Sequence, residues 1–150
     1  GIALKRKVVA DLRPPLLSEL GLVEALRALP DSGDIGEHGG KLEIDLPDAL
    51  PELPAQTALA LYRIAQEALS NITKHARATD VLLKLLEDGG RLEMCISDNG
   101  RGFDSEQSEA SYGFGLAIMR ERAASISASF DVRSQPGQGT EVRLVWHFPE

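Results

Sequence analysis

The stretch Asp98-Asn99-Gly100-Arg101-Gly102-Phe103 determines how the rest of the chain can be interpreted. It follows an alternating run of apolar and polar residues, 92–97, which predicts a half-buried strand. Asp98 is therefore expected to be a carboxylate held at the end of a rigid element. Gly100 and Gly102 lack Cβ atoms, so the backbone after Asp98 can approach a ligand closely. Such a carboxylate can accept a hydrogen bond from an exocyclic amine, for example that of adenine, although an ordinary β-turn has the same composition.

The pattern on either side of this stretch predicts an α+β protein. Alternation predicts strands at residues 41–46, 79–87, 91–98, 130–133 and 140–148, with a hairpin turn at 88–90. An apolar stripe at helical spacing predicts a long helix over 55–77, with shorter helices over 22–29 and 116–127. The last helix is expected to turn Ile118, Met119, Ala123 and Ile126 inward. We therefore expect a two-layer α/β sandwich, with a mixed sheet of about five strands and helices on one face.

The first part of the chain predicts a junction. Residues 2–12 mix apolar and basic side chains and predict the end of a helix, which Pro14 and Pro15 terminate. We expect the chain to be cut from a longer protein. The glycine-rich segment 31–40 predicts a loop, in which His38 is expected to be exposed to solvent.

Composition and charge exclude several classes of function. The chain has 150 residues, which suits one domain with an appendage. Its net charge of −7 argues against a nucleic-acid surface as its main function. It contains no run of 18 apolar residues, so we do not expect it to span a membrane. Cys95 is the single cysteine and is interpreted as a small buried hydrophobe in a strand.

Polar residues recur every four positions along the long helix. Arg63, Glu67, Asn71 and His75 are therefore expected on one side of it, with Lys74 beside them. An Asn oxygen can help to coordinate Mg²⁺, a Glu one turn earlier can orient or deprotonate a nucleophile, and a Lys can offer charge to a phosphate. The alternative is an ordinary solvated helix face.

Two further glycine-containing segments can carry chemistry. Gly113-Phe114-Gly115 precedes a helix, whose free N–H groups and partial positive charge suit phosphates. The polar segment 104–111 before it could close over a ligand. Gly137-Gln138-Gly139-Thr140 enters the last strand, and the Thr140 hydroxyl could reach a base or an ordered water. Either segment can instead be a turn that simply requires glycine.

Four stretches in this order resemble the conserved boxes of histidine kinase catalytic domains. Residues 61–78 (LYRIAQEALSNITKHARA) resemble the N-box, and residues 98–104 (DNGRGFD) resemble the first glycine box. Residues 112–123 (YGFGLAIMRERA) resemble the second glycine box, and residues 134–144 (SQPGQGTEVRL) resemble the final Gly-x-Gly-Thr. The resemblance implies the Bergerat fold, shared with gyrase, the large heat-shock chaperone and the mismatch-repair ATPase. Residues 11–26 (DLRPPLLSELGLVEAL) resemble the junction of nitrate-sensor-like sensor kinases.

The resemblance implies a role for individual residues, with ATP and Mg²⁺ as cofactors. Asn71 would coordinate Mg²⁺, and Glu67, Lys74 and His75 would form the catalytic set, the first as the N-box acid and the other two near the phosphates. Asp98 would bind the adenine amine. The other positions implied to form the nucleotide pocket are Gly100, Gly102, Phe103, Gly113, Gly115, Leu116 and Thr140.

The resemblance also implies partners and a domain division. Family members transfer the γ-phosphoryl of ATP to a histidine on a helical dimerisation domain, and then to an aspartate of a response regulator receiver domain. No histidine precedes His38, so the acceptor is expected on a dimerisation domain absent from this chain. Residues 1–29 would be the end of the upstream helical region and the junction, and residues 30–150 the ATP-binding catalytic domain. The implied location is cytoplasmic, without direct membrane contact by this segment, in a full-length protein that can be membrane-anchored elsewhere.

One departure and two alternatives remain. The family usually has glycine where Ser127 and Ala128 stand, which is interpreted as a local loop difference. A serine kinase of the anti-sigma-factor type shares the boxes but normally lacks the LRPPLL segment at 12–17. The non-enzymatic alternative is a degenerate module that serves as an interaction platform, binding nucleotide without catalysis. The presence of Glu67, Asn71, Asp98 and all the glycines argues against loss of binding.

Overall fold

The structure, a computed structural model, describes residues 14–29, 41–76, 79–103 and 115–149. The predicted helix over 2–12, the loop at 31–40, the polar segment 104–111 and Gly113 lie outside the described residues. In chain order the elements are α1 (Pro15–Leu20), α2 (Leu22–Ala28), β1 (Lys41–Asp45), α3 (Ala55–Asn71) continued by a π turn (Ile72–Ala76), β2 (Asp80–Asp88), β3 (Arg91–Asp98), α4 (Gly115–Ser125), β4 (Ser129–Ser134) and β5 (Thr140–His147).

The five strands form one mixed sheet in the order β1-β2-β3-β5-β4. β1 is parallel to β2, and the other pairs are antiparallel. In this register Asp98, at the end of β3, pairs with Val81 on one side and with Thr140 on the other. The two strand ends that the sequence analysis singled out therefore lie side by side in the middle of the sheet.

One face of the sheet is apolar and carries the helices. Alternate strand residues such as Leu83, Met94 and Leu144 are buried in the same core as Leu61 of α3 and Met119 of α4. Burial of alternate residues on one face is what the period of two in the sequence predicts. The predicted α+β sandwich with a mixed five-stranded sheet is confirmed.

The other face of the sheet is polar. Arg143 forms ion pairs there with Glu93 at 3.1 Å and with Glu141 at 3.3 Å. Cys95 also lies on this face and is only partly buried, so its interpretation as a core hydrophobe is wrong. Its Sγ lies 3.3 Å from Glu141 Oε1. Burial, together with this carboxylate, raises the pKa of the Cys95 thiol to about 11, which keeps the thiol protonated at neutral pH.

The N-terminal helices pack against the same core. Pro15 stands at the first position of α1, where its fixed φ and missing N–H are tolerated. Gly21 separates α1 from α2 at φ +89°. Leu17 of α1 and Leu26 of α2 are buried in the core that α3 also lines. No helix within the described ranges is both long and apolar enough to cross a bilayer.

Two expectations about the helices are wrong in detail. The long helix does not continue as an α-helix to residue 77, because it changes to a π turn after Asn71. At the change, the Ile72 amide is shared between two carbonyls, and the Thr73 hydroxyl donates to the Leu69 carbonyl at 3.0 Å. Ile118 is 39% exposed and does not turn inward.

The end of α4 explains the departure near residue 127. The Ala128 amide donates to the Ala123 carbonyl at 2.9 Å, and the Ser127 amide donates to the Ala124 carbonyl at 3.0 Å. This is the Schellman arrangement, which places one residue in the left-handed conformation. Ser127 occupies that position at φ +58°, where glycine is normally preferred.

Candidate functional site

The site is built around the carboxylate of Asp98. Its residue is 9% exposed, and the Gly100 amide donates to Oδ1 at 2.7 Å. The Thr140 amide on the neighbouring strand is a second backbone donor to it. Burial raises the pKa of the Asp98 carboxyl above its ordinary value of 3.8, and the two backbone donors offset part of this effect. The result is a poorly solvated acceptor that is held rigidly by both neighbouring backbones.

A small cavity lies between this carboxylate and the helices. Its volume is about 10 Å³, and it is lined by Asn71, Asp98 and Thr140 together with the apolar residues Ala68, Ile72, Ile96, Met119 and Val142. This is about the space of one water, so a purine requires the surrounding side chains to move apart. A wider, polar cleft of about 600 Å³ reaches Asp98 and Thr140 from the turn between β4 and β5.

The start of α4 closes against α3 beside this cavity. A Cβ at Gly115 would lie 2.6 Å from Glu67 Oε1 and 2.7 Å from Asn71 Nδ2. Glycine is therefore required where α4 begins, because any side chain would displace two polar groups of α3. The structure thus brings Glu67, Asn71 and Gly115 together. The sequence analysis had singled out the polar face of the long helix and the Gly-x-Gly at the start of α4 as two separate features.

Asn71 is unusual within this group. It is 5% exposed, and its Nδ2 is buried without a hydrogen-bond partner among the described residues. A buried amide nitrogen without a partner is costly and normally has an explanation at a functional site. The alternative of an ordinary solvated helix face is therefore wrong for this residue.

The turns after β3 and after β4 are packed backbone to backbone. Gly102 and Gly139 have φ of +61° and +81°, and the position of a Cβ on either would overlap main-chain atoms of the other turn or of Asp98. The Phe103 amide donates to Ser134 Oγ at 2.8 Å, and the Gly137 amide donates to the Arg101 carbonyl at 2.7 Å. The turn after β3 and the turn after β4 are therefore packed against each other and against the backbone of Asp98.

The remaining residues predicted for the site have different positions. Gly100, Phe103 and Leu116 are buried, and the last two belong to the core. Lys74 is exposed on the π turn. The side chain of His75 lies outside what the structure describes, as does Gly113.

Two residues that hold the site together, Asn99 and Ser134, were not among those predicted from the sequence. Asn99 accepts hydrogen bonds from the amides of Thr79 and Asp80 at 3.0 and 2.8 Å, which fixes the start of β2 against the end of β3. Asn in a turn commonly bonds to backbone in this way, so this role was within reach of sequence reasoning. Ser134 contacts the turn after β3 and the turn after β4, and no local pattern marks it because one of its partners, the Phe103 amide, is 31 residues away in sequence.

Comparison with known proteins identifies the family to which this site belongs. Residues 56–150 match the family described as histidine kinase-, DNA gyrase B-, and HSP90-like ATPase. The sensor histidine kinase MctS of Rhizobium johnstonii is 43% identical over 122 residues, which cover 79% of this chain and 26% of that protein. The nitrate/nitrite sensor protein NarX of Escherichia coli K12 is 37% identical over 136 residues, which cover 89% of this chain and 22% of that protein.

The fold comparison agrees. The histidine kinase domain of the Erythrobacter litoralis EL346 blue-light activated histidine kinase superposes with a TM-score of 0.63 at 24% identity, over 81% of this chain and 60% of that one. This chain spans about a quarter of the length of the two curated relatives. The resemblance inferred from the four boxes is confirmed, and membership of an ATPase family implies ATP as a ligand. The chain therefore belongs to the histidine kinase-, DNA gyrase B-, and HSP90-like ATPase family, as an ATPase domain of the kind found in sensor histidine kinases.

Proposed function

We propose that this chain binds Mg²⁺-ATP and transfers the γ-phosphoryl group to a histidine on a separate dimerisation domain of the same sensor kinase. The observation that carries the proposal is that Asn71, Asp98 and Thr140, from three separate elements, line one cavity. These side chains supply, in one place, an amide for the metal and phosphates, a carboxylate for the amine, and a hydroxyl for the base.

The adenine base is bound by Asp98 and the apolar wall. The carboxylate accepts a hydrogen bond from the adenine amine, and its burial strengthens that interaction because water competes poorly. Ile96, Met119 and Val142 would cover the base with apolar surface once the cavity opens. A base that carries an oxygen in place of the amine would leave the carboxylate facing another acceptor, which gives selectivity for adenine.

Asn71 fits a position at the metal and the phosphates. Among the described residues its buried Nδ2 has no hydrogen-bond partner. Flipping the amide plane would place Oδ1 at the same position, so the residue can offer a donor to phosphate or an oxygen to a cation. Asn71 would hold Mg²⁺, which when bound neutralises charge on the phosphate oxygens. Mg²⁺ usually keeps several waters and phosphate oxygens as ligands, so most of its ligands would come from water and from ATP.

The catalytic roles follow from position. Glu67 lies against Gly115 next to Asn71 and would orient or deprotonate the incoming imidazole. Gly113 and Gly115 would let the chain pass close to the phosphates, and the start of α4 would direct N–H groups at them. Lys74 and His75 follow Asn71 on the π turn and would offer charge and hydrogen bonds to the phosphates. Phosphoryl transfer needs such positioning and charge neutralisation more than covalent help.

The partners are proposed from the relatives. We place the acceptor histidine on a helical dimerisation domain of the same kinase, since a relative such as MctS is a sensor histidine kinase. A response regulator receiver domain would then accept the phosphoryl group on an aspartate. We assign residues 1–29 to the upstream region and junction, and residues 30–150 to the catalytic domain. This chain would act in the cytoplasm, where ATP and the receiver are available.

The test is transfer of radiolabelled phosphate from Mg²⁺-ATP to the purified dimerisation domain of the same kinase. We expect phosphohistidine, which is labile to acid, and no label on this chain alone. Glu67→Gln should reduce the transfer rate by about 100-fold or more while ATP binding persists. Glu24→Gln removes the same charge from an exposed side chain of α2 that lines neither cavity of the site, and it should behave as wild type.

Other outcomes identify the alternatives. Acid-stable phosphoserine on a protein substrate would replace the proposal with an anti-sigma-factor-type serine kinase. ATP binding without transfer to any dimerisation domain would leave an interaction module. Equal transfer by wild type and Glu67→Gln would remove Glu67 from the catalytic set.

A further inference from the structure

Ser134, the last residue of β4, lies at a junction of three hydrogen bonds. It is 7% exposed. The Phe103 amide donates to its Oγ at 2.8 Å, its Oγ donates to the Gly139 carbonyl at 3.0 Å, and its Oγ lies 2.9 Å from Thr140 Oγ1. One small side chain therefore connects the turn after β3, the turn after β4 and the start of β5.

Counting protons gives the direction of the third bond. A serine hydroxyl has one proton to donate and two lone pairs to accept with. The Gly139 carbonyl can only accept, so the Ser134 proton lies on that bond. One lone pair accepts from the Phe103 amide. The bond between the two hydroxyls must then be donated by Thr140, which fills the capacity of Ser134.

We infer that Ser134 is a positioning residue that sets the base preference of the nucleotide site by holding the hydroxyl proton of Thr140. With that proton engaged, Thr140 Oγ1 offers only lone pairs to any other group. Thr140 lines the same cavity as Asp98, so the site presents two acceptors to a base. This inference rests on the proposed nucleotide site and adds a source of its selectivity.

The two acceptors match one kind of purine. A 6-amino purine carries two N–H donors on its exocyclic nitrogen and can satisfy both Asp98 and Thr140. A 6-oxo purine, such as hypoxanthine, presents an acceptor at that position. Its oxygen would face the acceptor atoms of Asp98 and Thr140, and all of them would be buried without a donor. Polar sites reject an analogue most strongly when their own groups are left unpaired.

Ser134→Ala removes the acceptor that holds the Thr140 proton. The freed hydroxyl can rotate and donate to a 6-oxo group. We expect the affinity for ITP to rise about threefold and that for ATP to fall by a similar factor, so that the preference for ATP drops about tenfold, the effect of roughly one hydrogen bond. A purely structural defect would weaken both nucleotides, so a gain in ITP affinity reports the proton arrangement itself.

The experiment is calorimetric titration of this chain with ATP and with ITP, both with Mg²⁺. Ser134→Ala is compared with wild type and with two other variants. Ser134→Thr keeps a hydroxyl and should keep the preference for ATP, and Ser129→Ala is the second comparison. Ser129 lies at the exposed other end of β4 and serves as the matched control. If Ser134→Ala does not fold, Ser134→Cys has nearly the size of serine and a weak donor, and the same direction of change is expected.

The outcomes separate this inference from the proposed function. An unchanged ATP to ITP ratio in folded Ser134→Ala or Ser134→Cys, or an equal loss of both affinities, would overturn the inference and leave nucleotide binding intact. Failure of the wild-type chain to bind ATP would overturn the proposed function itself.

Discussion

Replacing Gly139 by alanine should damage the site far more than the same change at Gly137, two residues earlier in the same turn. Both glycines have left-handed backbones, with φ of +81° and +78°. A Cβ at Gly137 would have no heavy atom within 4 Å. A Cβ at Gly139 would lie 2.9 Å from the Asp98 carbonyl carbon and 3.0 Å from Asn99 Cα, and would overlap the Asp98 carbonyl oxygen.

The magnitudes follow from these two environments. Left-handed backbone costs an L-residue about 1–2 kcal/mol, and the stiffer unfolded chain returns about 0.4–1 kcal/mol. Gly137→Ala should therefore lower the free energy of unfolding by about 0–1.6 kcal/mol. Gly139→Ala adds an overlap with main-chain atoms that cannot rotate away, typically about 1–3 kcal/mol, so the total is about 1–4.6 kcal/mol. At about 2–4 °C per kcal/mol, the Tm should fall by about 0–6 °C and about 2–18 °C respectively.

The assay is thermal and urea unfolding of the two variants, followed by ATP titration of whatever remains folded. Gly139→Ala should also weaken ATP binding, since the displaced backbone is that of Asp98, whereas Gly137→Ala should bind as wild type. Equal losses of stability in the two variants would refute the argument that close backbone approach, rather than φ alone, demands glycine at position 139.

Three further outcomes are expected. Ser127→Gly should raise the free energy of unfolding by about 0.5–1 kcal/mol in urea titrations, because the relief of left-handed strain exceeds the entropy cost of glycine; a loss of stability would contradict this. Asp98→Asn should change the pH dependence of stability. Burial raises the pKa of Asp98 in the folded state, so ionisation of this carboxyl lowers the free energy of unfolding of wild type as pH rises from 3.8 through the raised pKa. Across that pH window the variant should become more stable relative to wild type when both are unfolded in urea. A difference that is flat with pH would count against burial as the cause. Gly115→Ala should reduce the gain in ATP affinity that Mg²⁺ provides over EDTA, because a Cβ there would displace the Glu67 and Asn71 side chains; an unchanged gain would separate Gly115 from the metal site.

Much of the fold follows from local sequence pattern. The period of two in β3 and β5 reports burial of one face, and the positions of Met94 and Leu144 confirm it. The same period places Cys95, between Met94 and Ile96, on the outward face, so its interpretation as buried came from residue type and not from the pattern. Ile118 shows the same limit on a helix, since a large apolar side chain was assumed to be buried and is 39% exposed.

The candidate site depends on long-range packing that a local pattern does not contain. Asp98 and Thr140 are neighbours because β5 pairs with β3 and lies between β3 and β4, an order that sequence periodicity leaves open. At the π turn after Asn71 the Ile72 amide is shared between two carbonyls, an arrangement that helix propensity does not report. The junction at Ser134 depends on three bonds to residues brought together by two turns.

The central claim is that Asp98 binds the base of ATP, and thermal unfolding with and without saturating Mg²⁺-ATP tests it most directly. At about 100 times the dissociation constant, ATP should add about 2.7 kcal/mol to the stability of wild type, a rise in Tm of about 5–10 °C. Asp131→Asn, which removes a carboxylate from the exposed face of β4, should show the same rise. Asp98→Asn should show little or none. Equal rises in all three proteins, or no rise in wild type at millimolar ATP, would contradict the claim.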